Sequence, residues 1–375
     1  MKKIAFVYLS NYNDWPMGGM LSYVKNLIPY FKNANWNIDY WGCSVNRKRN
    51  NNFTISNTDY TLHIYTNVKT KNKIVPNFIK SFFMVIRNHK SFGEYDIIYS
   101  HTAATSIALK ILFPSKFVIH HQHGLSYVKS TGLSKLLNIG YKLAQLLTNV
   151  SFFVASPEEL YEYKSQNYLF KNKKFYAIGS PINVREILQI IQRKSPHLQF
   201  VYTGRLAKWK NVDFIIDAFS KYKSEVCSDC KMIVIGDGPM HIELEQKIKQ
   251  DNLSYAVFLL GNQNQEDVFK YLKSSDVFLF ASNGEGVSVS ILEAFAAGLP
   301  VVACDVIGVR NLVKDGQTGY LADGLNLDVY VEKMKTAVSE KDNLKKNCIS
   351  FASRFDAHSL TKEIMSIINY EYENR

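Results

Sequence analysis

Short apolar runs alternate with longer amphipathic stretches along almost the whole chain, and the alternation runs through twice. In the first half "KIAFVYL", "WNIDYWG", "YTLHIYT", "DIIYSH", "KFVIHHQ" and "VSFFVAS" predict strands. The stretches "GMLSYVKNLIPYFKN", "VPNFIKSFFMVIRNHKSF", "TSIALKILF" and "LSKLLNIGYKLAQLLT" predict helices between them. The pattern breaks at "AIGSPINVREILQIIQRKSPHLQ", rich in Gly, Pro and basic residues, and then restarts. There "LQFVYTG", "CKMIVIG", "YAVFLLG", "DVFLFAS" and "PVVACD" predict strands, separated by helices such as "VDFIIDAFSKYKSE", "MHIELEQKIKQD" and "EDVFKYLKSS". Strands without alternation, each followed by a helix, belong to parallel sheets covered on both faces. The chain is therefore expected to be α/β, with two Rossmann-like, doubly wound domains. A length of 375 residues fits two cores better than one. The expected boundaries are 1–180 and 181–355, with a last helix over 356–375 packing back toward the first domain.

Ligands of such sheets sit beyond the carboxyl ends of the strands, where loops and helix N-termini gather. Three glycine-bearing loops follow predicted strands. In "PMGGMLSYVKNL", Gly18 and Gly19 open a helix whose first amides would face the ligand edge. In "YTGRLAKWKNVDFIIDAF", Gly204 ends a strand, and Arg205 and Lys210 precede a helix from about Val212. A forked guanidinium and a compact ammonium suit a diphosphate, although by spacing alone both could be solvated surface charges. In "NGEGVSVSILEAFAAGLPVV", Glu285 lies in a glycine loop, a helix starts near Ser288, and Glu293 stands in an otherwise apolar stretch. Glu293 would lie roughly 8 Å along the helix from its first turn, about the reach from a diphosphate to a ribose. A carboxylate accepts from adjacent hydroxyls, so the two acids are candidates for sugar hydroxyls, with the basic pair at the phosphates.

Charge is unevenly spread. The net charge is +12, but residues 1–180 hold 22 Lys and Arg against 8 Asp and Glu, while residues 181–375 hold 23 against 25. A cationic first half predicts an anionic partner, nucleic acid or acidic lipid. The stretch "NFIKSFFMVIRNHKSF" combines Phe78, Ile79, Phe82, Phe83, Val85 and Ile86 with Lys80, Arg87 and Lys90. It suits a helix lying on an anionic leaflet, or equally a core helix with a basic outer face. No run reaches the roughly 18 apolar residues of a spanning helix, and the apolar part of "MKKIAFVYLSNYND" is too short for a signal peptide. The five cysteines show no framework spacing, and the lone Cys227–Cys230 pair is a weak zinc signal. Scattered thiols suit a cytoplasmic compartment.

In this order, "TGRLAKWKNVDFIIDAF", "MIVIGDGPMHIELE", "FLLGNQNQEDVFKYLKSSDVFLFAS" and "EGVSVSILEAFAAGLPVVACDVIGVRNLVKDGQTGYL" cover most of residues 200–322. They resemble the blocks of family-4 retaining glycosyltransferases, which have the two-domain GT-B fold. The resemblance implies that Arg205 and Lys210 contact the donor diphosphate, Glu285 the donor-sugar hydroxyls and Glu293 the nucleotide ribose. It implies that Gly204 ends the strand behind the basic pair, and that Gly286, Val287 and Ser288 offer amides to sugar and phosphate. Gly18 and Gly19 match a loop over the diphosphate, and His123 in "VIHHQHGLSY" matches a His-Gly at the reaction centre. Of His120 and His121, strand alternation would bury one, and adjacent strand positions argue against a shared metal.

The resemblance further implies a metal-independent transfer without cofactor, from a nucleotide-sugar donor, most simply a UDP-sugar, to an oligosaccharide or lipid-linked acceptor held by the first domain. The expected setting is bacterial surface polysaccharide synthesis, O-antigen or capsule, on the inner face of the cytoplasmic membrane. After "VVACD" the family often has Gly-Gly-x-Pro-Glu, whereas this chain reads Ile307-Gly308-Val309-Arg310-Asn311. A GT-B nucleotide-sugar epimerase is the alternative enzyme. Nucleic-acid binding leaves Glu285 and Glu293 unexplained, and an NAD oxidoreductase lacks its GxGxxG, of which "IGDGPM" is only half.

Overall fold

The computed structural model describes residues 2–8, 19–34, 36–44, 52–55, 58–67, 77–124, 133–191, 195–284, 287–306 and 308–375. The chain divides into two compact units, Met1–Pro181 with His358–Arg375, and Ile182–Ala357. Each is built on a parallel sheet, as the doubly repeated strand–helix pattern predicts.

In the first unit the strands are β1 (Lys3–Val7), β2 (Asn37–Ser44), β3 (Asn52–Ile55), β4 (Thr58–Asn67), β5 (Ile97–Ser100), β6 (Phe117–Gln122), β7 (Val150–Val154) and β8 (Phe175–Ile178). The helices are α1 (Gly19–Asn33), α2 (Asn77–Arg87), α3 (His89–Phe92), α4 (Ala103–Leu112), α5 (Leu133–Leu147) and α6 (Pro157–Ser165). Among the described residues the sheet has the order β3-β4-β2-β1-β5-β6-β7-β8, antiparallel only at the β3–β4 edge. Every residue of β5, β6 and β7 is buried, as an inner parallel strand with helices on both faces requires.

That double burial corrects one expectation. His120 and His121 are both fully buried, not one of them. His120 turns toward Ser106 of α4 (3.0 Å) and the Tyr141 ring of α5, while His121 meets Tyr99 (2.6 Å) and the Tyr23 ring of α1. The stretch 77–92 is likewise two helices, α2 and α3, parted at Asn88. Val85 and Phe82 turn inward to a cluster with Trp41, Ile98 and Leu109, so only part of the predicted apolar surface faces out. Phe83 and Ile86 remain 61% and 39% exposed.

The second unit holds α7 (Val184–Gln189), β9 (Gln199–Thr203), α8 (Val212–Glu225), β10 (Lys231–Ile235), α9 (His241–Gln250), β11 (Val257–Leu259), α10 (Gln265–Ser274), β12 (Val277–Phe280), α11 (Val289–Ala297), β13 (Val301–Cys304), β14 (Gly319–Ala322) and α12 (Leu327–Ser353). Its sheet, all parallel among the described residues, runs β11-β10-β9-β12-β13-β14. The buried Tyr330 of α12 ties two strands together, accepting from Phe280 N (3.0 Å) and donating to Val302 O (2.8 Å).

A last helix, α13 (Ala357–Glu373), lies with the first unit from His358 onward. Glu371, 3% exposed, accepts from Tyr176 Oη and pairs with Lys174, both on or beside β8. Tyr372 packs edge-on to Phe117 of β6 at 5.5 Å. Removing a buried carboxylate that satisfies two donors costs about 1–3 kcal/mol. Glu371→Ala should therefore lower urea-denaturation stability by that amount and release amide-exchange protection along 358–373. Unchanged protection there would show that the helix is held by apolar packing alone.

Candidate functional site

The strand order of the second unit reverses between β9 and β12, which are hydrogen-bonded neighbours. Helices leave the two strands on opposite sides of such a point, so their carboxyl ends open a crevice. The two loops that the sequence singles out, 204–211 after β9 and 281–288 after β12, therefore start side by side.

The first loop is fixed by backbone. Gly204 N donates to Ile235 O (3.0 Å), Leu206 N to Asp237 O (3.0 Å), and Met240 N to Leu206 O (3.0 Å). This lacing explains the glycines of "IGDGPM". A Cβ on Gly236, whose φ is +129°, would stand 1.9 Å from Gly204 O, and one on Gly238 would stand 2.3 Å from Leu206 O. Those glycines let two loops touch, a role different from a dinucleotide fingerprint.

Arg205 is exposed, whereas Lys210 is only 9% exposed. Lys210 closes a short 3-10 turn, Lys208–Lys210, and its ammonium lies 4.4 Å from the centre of the Trp209 ring and 5.1 Å from that of Phe280. Aromatic faces attract a cation and fix its position. An ammonium kept from bulk water attracts a phosphate more strongly than a surface lysine does.

The second loop runs through Ala281, Ser282, Asn283 and Gly284 into α11; Glu285 and Gly286 lie outside the described residues, as does Gly18. Gly19 is the first residue of α1. Val287 is half-buried, and the buried Ser288 occupies the N-cap of α11. The Ser288 side chain makes no capping bond and meets Ser290 Oγ instead (3.1 Å). Glu293 is half-buried on a helix whose Ile291, Leu292, Ala294 and Phe295 are fully buried. Gly298, with φ of +85°, ends the helix in the left-handed conformation before Pro300 and β13. Where the sequence departs from Gly-Gly-x-Pro-Glu, Arg310 forks onto Asp305 through two bonds of 2.6 and 2.8 Å. That clasp closes the loop after β13 on itself.

His123 belongs to the first unit, just beyond β6. Its Nε2 shares a hydrogen bond of 3.0 Å with Nδ1 of His101, which sits just beyond β5. The rings of His101, His121 and His123 gather within 4.7–5.2 Å of one another. Burial pushes His120 and His123 down to about 3, and holds His101 and His121 well below the ordinary range, with mutual repulsion adding to it. All four are thus neutral in the fold near pH 7. Among the described residues no group of three His, Cys, Asp or Glu side chains is placed to hold a metal, and no helix is long and apolar enough to cross a membrane.

The sequence reading passed over His101, Asn211 and Asn283. His101 could have been found by noting that it and His123 end consecutive predicted strands. Asn211 stands between a basic turn and a helix start, where a left-handed residue is needed.

With this geometry in hand, the comparisons are direct. Residues 183–355 match the family described as Glycosyl transferases group 1. The match spans almost the whole of the second unit. An uncharacterised glycosyltransferase of Methanocaldococcus jannaschii is 24% identical over 95% of this chain and 99% of its own length. The UDP-Gal:alpha-D-GlcNAc-diphosphoundecaprenol alpha-1,3-galactosyltransferase of Escherichia coli is 26% identical over 68% of this chain and 70% of its own. The sucrose-phosphate synthase structure from Thermosynechococcus elongatus superposes with a TM-score of 0.81 over 100% of both chains at 16% identity. That likeness carries the GT-B fold class, and these two relatives are themselves named as glycosyltransferases.

The buried histidines set a pH dependence. Unfolded histidine titrates near 6.5, so acid protonates the unfolded chain before the native one. Stability from the neutral imidazoles is complete above about 6.5 and is lost as pH falls toward 3, by roughly 1 kcal/mol per histidine per pH unit. Thermal melts should show Tm falling between pH 7.5 and 5.5, and His120→Gln should flatten that fall. A Tm independent of pH over this window would contradict neutral burial.

Proposed function

We propose that the chain transfers a sugar, with retention of anomeric configuration and without a metal, from a UDP-sugar to a lipid-linked or oligosaccharide acceptor, in bacterial surface polysaccharide synthesis such as O-antigen or capsule. The observation that carries this reading is the meeting, at one strand-order reversal, of a basic loop and a helix start whose N-cap side chain makes no capping bond, with a half-buried acid just over one turn in. Arg205 and Lys210 sit where a diphosphate would need cations, and Glu293 where a ribose would need an acceptor. The group 1 family and the Escherichia coli relative, named for a UDP-galactose donor and a diphosphoundecaprenol acceptor, support both substrate classes.

Cleavage of the donor's anomeric C–O bond leaves its electron pair on the diphosphate. Arg205, Lys210 and the α11 amides stabilise that growing charge, and preorganised electrostatics of this kind is usually the largest catalytic contribution. The leaving phosphate oxygen takes the acceptor hydroxyl's proton as the new C–O bond forms on the same face. Glu285 would hold donor-sugar hydroxyls, and Gly204, Gly286, Val287 and Ser288 would bring backbone against the ligand; of the first unit's residues, His123, Gly18 and Gly19 are proposed for the reaction on the resemblance alone. An epimerase would turn over donor without acceptor.

A screen of UDP-sugars by thermal shift and UDP release tests the reading. Lys210→Ala should lower turnover by more than about tenfold, the scale of one lost charge-stabilising contact. Glu293→Ala should weaken UDP binding. Wild-type behaviour of both variants would refute the site.

The same proposal places the protein peripherally on the inner face of the cytoplasmic membrane. Between Asp96 and Glu158 the sequence has no acid, and α2, α4 and α5, packed side by side, expose Phe83, Ile86, Ile111, Ile139 and Leu143. Arg87, Lys90 and Lys142 stand exposed among them. Apolar side chains edged by cations suit an anionic leaflet. The protein should float with phosphatidylglycerol vesicles in a salt-sensitive way, and Phe83→Ser with Ile86→Ser should abolish flotation. Indifference to both salt and substitution would remove the membrane from the account.

A further inference from the structure

Asn211 is one of two described non-glycine residues with positive φ, at φ 49° and ψ 45°. It follows Lys210 directly and precedes α8. Asparagine tolerates this conformation, but the side chain here does more than permit a turn. Its amide nitrogen has two hydrogens. One points at Ala281 O, 2.6 Å away, and the other at Asn283 Oδ1, 2.7 Å away. The second loop returns the contact: Asn283 N donates to Trp209 O at 2.9 Å, and Ser282 Oγ lies 3.4 Å from the same carbonyl. The residue before Asn211 is the half-caged lysine, and the residues after Asn283 lead into Gly284 and Glu285.

We propose that Asn211 is a positioning residue, which ties the loop of Arg205 and Lys210 to the loop that enters α11 and so sets the spacing between the cations and the acid of that helix, Glu293. This rests on the sugar-transfer reading above. Among the described residues the two strands pair at the base of the crevice, where Val277 and Phe278 meet Phe200 and Val201. Beyond Thr203 and Phe280, among the described residues, the loops are held in register by the Asn283 N to Trp209 O bond and by the Asn211 side-chain amide. Misplacing a reacting group by about 1 Å is enough to cost on the order of a hundredfold in rate. The looseness would fall on the transition state more than on ground-state donor binding.

Asn211→Gly separates this role from a structural one, because glycine keeps the left-handed turn and loses only the two bonds. The readouts are melting temperature, UDP binding, and kcat and KM for whichever of UDP-glucose, UDP-galactose or the UDP-N-acetylhexosamines the wild type turns over fastest. Asn211→Gly should melt within about 2 °C of the wild type and lose about tenfold or more in kcat, with donor KM changed much less. Asn211→Asp, a carboxylate facing two oxygen acceptors, should be worse. Asn283→Ala removes part of the same tie, so the double variant with Asn211→Gly should lose less than the two single losses combined. Wild-type kcat in Asn211→Gly, or fully additive losses in the double variant, overturns the proposal while Lys210→Ala remains impaired. A wild type that neither binds UDP nor releases it from any of these donors overturns the sugar-transfer reading and this inference with it.

Discussion

A parallel sheet can be closed only by crossover connections, and every crossover brings a loop and a helix start to the same edge. This constraint governs both units. It makes the inner strands apolar on both faces, which is why β5, β6, β7 and β9 are buried throughout. It also leaves the polar chemistry of each unit to the carboxyl ends of its strands. In the second unit the order reverses between β9 and β12, and the crevice so formed receives the basic loop from one strand and the acid-bearing helix from the other. The glycines at 236 and 238 serve the same end, since any side chain there would force the β10 loop off the β9 loop.

Charge follows the same division. In the second unit, cations and acids nearly balance over the whole, yet Lys210 is set apart from the solvated charges by two aromatic rings. A lysine so placed is a fixed feature of the site, whereas the pairs along α8, α9 and α10 are exposed and contribute little. In the first unit the ring cluster around His101, His121 and His123 is kept neutral by burial. A neutral imidazole at a strand end can donate one hydrogen bond and accept another and adds no charge, which suits hydroxyls better than phosphate.

Much of this was legible in the residues. The strands of both sheets follow from unbroken apolar runs, and the helices α1, α5 and α8 from their amphipathic period. Three short or polar strands escaped. β3 ("NFTI") is an edge hairpin arm, β8 ("FYAI") abuts the Gly-Pro seam, and β14 ("GYLA") opens with a glycine that mimics a turn. Position in the sheet, not local pattern, makes these strands. The same reason explains the histidines: alternation predicts one buried neighbour only for a strand with a solvent face, and β6 has none. Phe82 and Phe83 looked equivalent by composition, and only packing separates the inward from the outward one. At the site, Glu293 was legible because an acid inside "LEAFAAGLP" demands an explanation. Asn211 was not, because its role depends on Ala281 and Asn283, some seventy positions away.

The central claim is that the strand-order reversal of the second unit is a nucleotide-sugar site. A crystal structure of the protein soaked with UDP tests it most directly. The account predicts diphosphate oxygens within hydrogen-bonding distance of Arg205 and Lys210, and ribose hydroxyls on Glu293. UDP bound elsewhere, or bound here with its ribose turned away from Glu293, would contradict it.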